Sequence, residues 1–160
     1  MNTCYAMSLV SLVMLIVILA QSFFSFNIFS ASPMSFLILT SIVYLFTETL
    51  IIFFFVGTGV SIRDFTAANH LSLDFHRQSI AIKRRIYPTQ LLNILILMTA
   101  FILYGAADTQ KISIWIYRLT LLGGIAHFIY AKIIQHNCFR DNTNVILKMS
   151  GLKPLGQCIT

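Results

Sequence analysis

A carboxylate, Glu48, stands near the middle of a run from Ser35 to Val60 that otherwise carries no charge. A run of that length crosses a bilayer. The carboxylate then lies close to the midplane, where an ionisable side chain is expensive and by default marks a working site. It is the only acidic residue inside any of the apolar runs. On a helix Ser41, Tyr44, Glu48 and Phe55 share a face, with Thr47 and Thr49 flanking it, and this stripe should point into a bundle or a partner rather than into lipid. Such a set could relay a proton, hold a ligand or anchor a subunit. The plainer reading is a neutral carboxyl hydrogen-bonded within the bundle.

Arg118 and His127 are the expected partners of Glu48. At a rise of about 1.5 Å per residue, each lies roughly 6–8 Å from it along the membrane normal, on opposite sides. Arg118 is long enough to reach across a helix interface, or to snorkel to the nearby membrane surface. His127 needs Tyr44 or a water in between; otherwise it is a packing residue bonded to a neighbouring helix. Lys132 reads as a residue near a helix end.

Other chemistries find no residues to carry them. Bis-histidine haem ligation needs two His at matching depth on facing helices, and only His127 lies inside an apolar run. His70 and His76 are too loosely spaced for a metal site, so no metal and no cofactor are expected. Gly57-Thr58-Gly59 follows no strand and precedes no Lys-Ser/Thr, which excludes a nucleotide loop; close helix packing or a helix end suits it better. The Phe53-Phe54-Phe55 run reads as lipid- or partner-facing bulk. No nucleophile–base pair and no paired carboxylates occur, so no catalytic residue is assigned and the chain does not read as an enzyme.

The elements that must position Glu48 follow from composition. Hydrophobic residues make up 58% of the 160 residues and charged residues only 10%. Soluble domains carry about 25% charged residues, so lipid must be the solvent here. Apolar stretches at about 7–29, 35–60, 89–106 and 113–134 each suit a membrane helix, being continuous rather than alternating with period two. The first has no basic residue before it and is long for a signal peptide, so it is expected to remain as a helix. The architecture is therefore an all-α, integral membrane four-helix bundle made of two helical hairpins, the first broken at Pro33. A single transmembrane domain accounts for the whole chain, with a basic loop at 61–88 and a tail at 135–160.

Charge sets the expected orientation. The net charge is +6, and the basic residues gather in two places. Arg63, Arg77, Lys83, Arg84 and Arg85 lie between the second and third runs; Arg140, Lys148 and Lys153 follow the fourth. By the positive-inside rule both segments, and both termini, face the cytoplasm of a bacterial inner membrane. Tyr104, Trp115 and Tyr117 would mark the outer interface, and Tyr87 and Tyr130 the inner one. The basic charge reads as topology and as contact with anionic lipids through Arg77, Lys83, Arg84 and Arg85, not as nucleic-acid binding. Within the loop, Phe75, Ser79, Ile82 and Ile86 fall on one face, predicting an interfacial helix over 73–86 that Ser72 caps and that Pro88 separates from the third span. The tail from His136 to Met149 could continue the fourth helix until Gly151 ends it. Cys4, Cys138 and Cys158 show no disulfide or metal spacing and read as free thiols.

Three motifs carry a resemblance. Phe54-Phe55-Val56-Gly57-Thr58-Gly59 before a basic loop, Lys83-Arg84-Arg85-Ile86-Tyr87-Pro88, and Gly105-Ala106-Ala107-Asp108-Thr109 before a Trp-containing span together resemble small bacterial four-span membrane proteins of unassigned activity, over about Leu45 to Asn142. The resemblance implies the architecture and no activity. With almost no extramembrane domain and no catalytic set, the chain is expected to be an accessory or structural subunit of a larger membrane complex, of the energy-transducing or oxidative kind, with other membrane subunits as partners. A small proton-linked transporter or channel using Glu48 is the second reading, and a lipid- or quinone-acting membrane enzyme the third.

Overall fold

A computed structural model describes residues 2–24 and 32–151. Four helices run α1 (Asn2–Phe24), α2 (Pro33–Ala68), α3 (Asp74–Asp108) and α4 (Ile114–Met149). No strand occurs among the described residues, and all four helices are long and apolar enough to cross a membrane. The all-α membrane four-helix bundle expected from the sequence is what the chain forms.

Local chemistry starts and stops the helices. Ser32 caps α2, its Oγ accepting from the Ser35 backbone N–H at 3.2 Å, and Pro33 occupies the first turn, where its missing N–H costs nothing. Ser113 caps α4 by accepting from the Trp115 N–H at 3.4 Å. Positive φ at His70 (50°) and Gln110 (57°) turns the chain after α2 and after α3, and Gly151 (72°) ends α4 with a conformation that costs glycine little. Residues 25–31, between α1 and the Ser32 cap, lie outside the described residues, as do Lys153 and Cys158 in the tail.

The helices pack in a ring: α1 against α2, α2 against α3, α3 against α4, and α4 less closely against α1. α2 and α4 therefore face each other across the diagonal. The α3–α4 pair is the most extensive contact. Gly124 lets the two helices approach: a Cβ there would come within 2.7 Å of the Leu97 Cδ2. Gly123 meets nothing, so the close contact belongs to Gly124 alone.

Length is where the structure departs from the sequence reading. α1 has 23 residues, but α2, α3 and α4 have 36, 35 and 36, well beyond the roughly 20 that a bilayer requires. Tyr5 of α1 meets His136 and Phe139 of α4. Past that level the described part of α1 has no counterpart, and three helices continue together for about ten residues, roughly 15 Å. The basic segment is thus not a loop around an in-plane helix. It consists of the end of α2, a short turn and the start of α3, and α3 runs unbroken through Pro88. The predicted face is real, since Ser79, Ile82 and Ile86 are buried and Phe75 is partly so. It faces the three-helix extension, not a membrane surface. Ser72 does accept the Asp74 N–H at 3.2 Å, although Leu73 is the capping position.

Two apolar clusters divide the interior. One, towards the α3–α4 turn, contains Leu15, Ile18, Leu37, Leu97, Phe101, Tyr117 and Leu121. The other, towards the basic end, contains Ile51, Phe55, Ile62, Ile82, Ile86, Phe139 and Val145. Phe55 stacks on Phe139 across the diagonal, with centroids 5.0 Å apart and planes at 22°. Only Phe53 of the three consecutive phenylalanines is broadly exposed; Phe54 and Phe55 are packed. Tyr117 is fully buried, so the interface role predicted for it falls away, whereas Trp115 and Tyr130 are exposed.

Candidate functional site

Between the two apolar clusters lies a polar layer on the bundle axis. Glu48, on α2, is wholly buried. Its Oε1 accepts from the Lys132 Nζ of α4 at 2.8 Å, an ion pair spanning the diagonal. Lys132 also donates to the Gln135 Oε1 at 2.9 Å, one turn along its own helix, and its ammonium stands 4.5 Å over the Phe128 ring. Two charges held this far from water are tolerable only as a close, hydrogen-bonded pair, because each alone carries a desolvation cost of several kcal/mol. Gln90 of α3 is also buried, one helical turn from Asn93 towards the same end to which Glu48 lies from Tyr44.

One turn away is a second set of bonds. Asn93 Nδ2 donates to the Tyr44 Oη at 2.9 Å, and Asn93 Oδ1 lies 3.2 Å from the His127 Nδ1. α2, α3 and α4 are joined through this one amide. α1 is tied in by a hydroxyl pair, Ser11 Oγ to Thr47 Oγ1 at 2.9 Å. The residues that α2 sends inward, Tyr44, Thr47, Glu48, Ile51 and Phe55, are all buried and recur at helical spacing. Ser41 and Thr49 from the predicted stripe are not among them.

The structure redistributes the predicted partners. Neither Arg118 nor His127 pairs with Glu48. Arg118 turns to α1, where its Nε donates to the Ser22 Oγ at 3.0 Å and its Nη2 to the Ser22 carbonyl. Its guanidinium lies 4.7 Å from the Phe23 centroid and 5.0 Å from that of Trp115. His127 bonds Asn93, so it reaches Tyr44 indirectly, as a hydrogen-bonded packing residue. The partner is Lys132, which a fourth span ending at 134 puts near a helix end. α4 continues to Met149, which leaves Lys132 mid-helix. The signal was present: Ala131, Gln135, Cys138, Phe139, Asn142 and Val145 continue the inward face at helical spacing well past Ile134.

The basic residues expected at headgroups separate as well. Arg77 and Arg84 flank a shallow depression with Ile80 and Ala81. Arg85 instead faces α4, 3.7 Å from the Asp141 carboxylate. Lys83 lies over Gly59 of α2, where a Cβ would overlap its Nζ. The Gly-Thr-Gly motif therefore gives its second glycine to a close approach, inside a helix that continues to Ala68. Cys4 and Cys138 are buried free thiols, and no cluster of metal-binding side chains occurs among the described residues.

No family model matches the chain, and no curated protein or solved structure matches it either.

Proposed function

We propose that this protein is an accessory, structural subunit of a larger membrane complex, seated in a bacterial inner membrane with its basic end in the cytoplasm. The observation that carries this reading is the use made of intramembrane charge. Within the membrane-level part of the described bundle, Glu48 and Lys132 neutralise one another, and Arg118 is held by Ser22. Packed rings stand beyond the pair on the axis, Tyr44 with Phe128 on one side and Phe55 with Phe139 on the other. Polar side chains so arranged fasten helices to one another. The three-helix extension adds a rigid basic platform for a partner, and Arg77 and Arg84 add a contact for anionic lipid phosphates.

The test is a native-membrane pull-down of the full chain in mild detergent, with mass spectrometry and size analysis. Co-purification in fixed stoichiometry with a larger assembly is the expected result. A lone small oligomer overturns the reading. Proton-linked transport is the second reading, and one observation favours it: Glu48 Oε2 and both amide atoms of Gln90 are buried without a hydrogen-bond partner. In vesicles carrying an internal pH dye, transport that Glu48→Gln abolishes would put this reading first.

A further inference from the structure

The α1–α4 seam, the least closely packed of the four, opens beside the ion pair. A crevice of about 190 Å³ lies there, lined by Tyr5, Ser8, Leu9, Leu12, Phe128, Lys132 and Gln135. Most of its wall is apolar or aromatic, but two wall residues hold buried polar atoms with nothing to bond. Ser8 is 7% exposed and its Oγ has no partner; Gln135 is 1% exposed and its Nε2 has none, its Oε1 being taken by Lys132. A buried donor left unmade costs about 1–3 kcal/mol, so two on one wall form a standing demand for acceptor oxygen.

Depth restricts what can answer it. Ser8 lies six residues beyond Asn2, about 9 Å into the bundle from that end of α1. A ligand reaching it through the seam must itself be soluble in hydrocarbon, and it must carry neutral acceptors because Lys132 is already committed to Glu48. The volume takes one substituted six-membered ring with its tail left in the lipid, and the partly buried Tyr5 ring suits a flat partner. We propose that this crevice binds the head ring of a lipid-soluble quinone, with Gln135 Nε2 and Ser8 Oγ donating to its carbonyl oxygens. The site stands on its own wall chemistry, whether or not the chain belongs to a larger complex.

The experiment uses the full chain in nanodiscs of phosphatidylethanolamine and phosphatidylglycerol, photolabelled with an azido-ubiquinone analogue and challenged with decylubiquinone. The expected result is labelling of peptides around Ser8–Leu12 and Phe128–Gln135 that decylubiquinone displaces. Gln135→Leu should raise the competing concentration about tenfold, as the loss of one hydrogen bond implies. Leu12→Trp fills the crevice from its apolar wall while leaving Glu48, Lys132, Gln135 and Ser8 unchanged and should abolish the labelling, which covers the case in which Gln135→Leu does not fold. Label spread over all lipid-facing surfaces, label that survives Leu12→Trp, or label displaced by added phospholipid but not by decylubiquinone each overturns the proposal. The pull-down is a separate readout, so failure here leaves the subunit reading where it was.

Discussion

Charge is handled in two opposite ways in this molecule. In the polar layer, Glu48 is 0% exposed and Lys132 19%, and their charged atoms are 2.8 Å apart. On the three-helix extension, Arg85 and Asp141 are 55% and 40% exposed and 3.7 Å apart, and Arg77 and Asp74 are more exposed still. The first pair joins diagonal helices that also meet through aromatic rings, Tyr44 with Phe128, and Phe54 and Phe55 with Phe139. The second decorates a contact that Ile82, Phe139 and Val145 already hold. The same attraction, placed in two solvents, becomes a fastening in one and a surface detail in the other.

The largest expected effect comes from breaking the buried pair on one side. Lys132→Met leaves a carboxylate on the axis and should destabilise the bundle by about 3–5 kcal/mol, whereas Lys132→Met with Glu48→Leu should recover most of that loss. Unfolding in mixed detergent–SDS micelles measures both, and additive losses would show that the two side chains are not coupled. Next is Asn93→Leu. It cuts the bonds to Tyr44 and His127 together and should cost about 1 kcal/mol by the same assay, since intramembrane hydrogen bonds average well below their vacuum strength. The smallest is Asp141→Asn, expected to cost less than about 1 kcal/mol at low salt and nothing measurable in high salt. A salt-independent loss of several kcal/mol there would erase the contrast between the two regions.

How much could be read beforehand depended on what each inference required. Helical spacing turns Tyr44 and Glu48 inward, and both are fully buried. Periodicity likewise sets Phe75, Ser79, Ile82 and Ile86 on one face, but that face meets the three-helix extension and not a membrane surface. Hydropathy falls at the membrane surface whether a helix stops or passes through, so the drop near residue 61 does not distinguish a loop from the α2 that continues to Ala68. Pro88 adds the same ambiguity for α3. A proline costs about 3 kcal/mol in a helix interior, but here α3 absorbs it by packing against both neighbours, and a propensity summed along one segment cannot include that packing.

Helix number, lipid solvent and the inward face of α2 are determined by composition and period alone, because each is a property of one helix and its surroundings. The identity of Glu48's partner, the diagonal it crosses, the diversion of Arg118 to Ser22 and the extension beyond α1 were decided only in three dimensions. Each depends on how one helix is rotated and shifted against another. A helical wheel contains no such information, and a rotation of one residue, about 100°, would have given Glu48 a different neighbour.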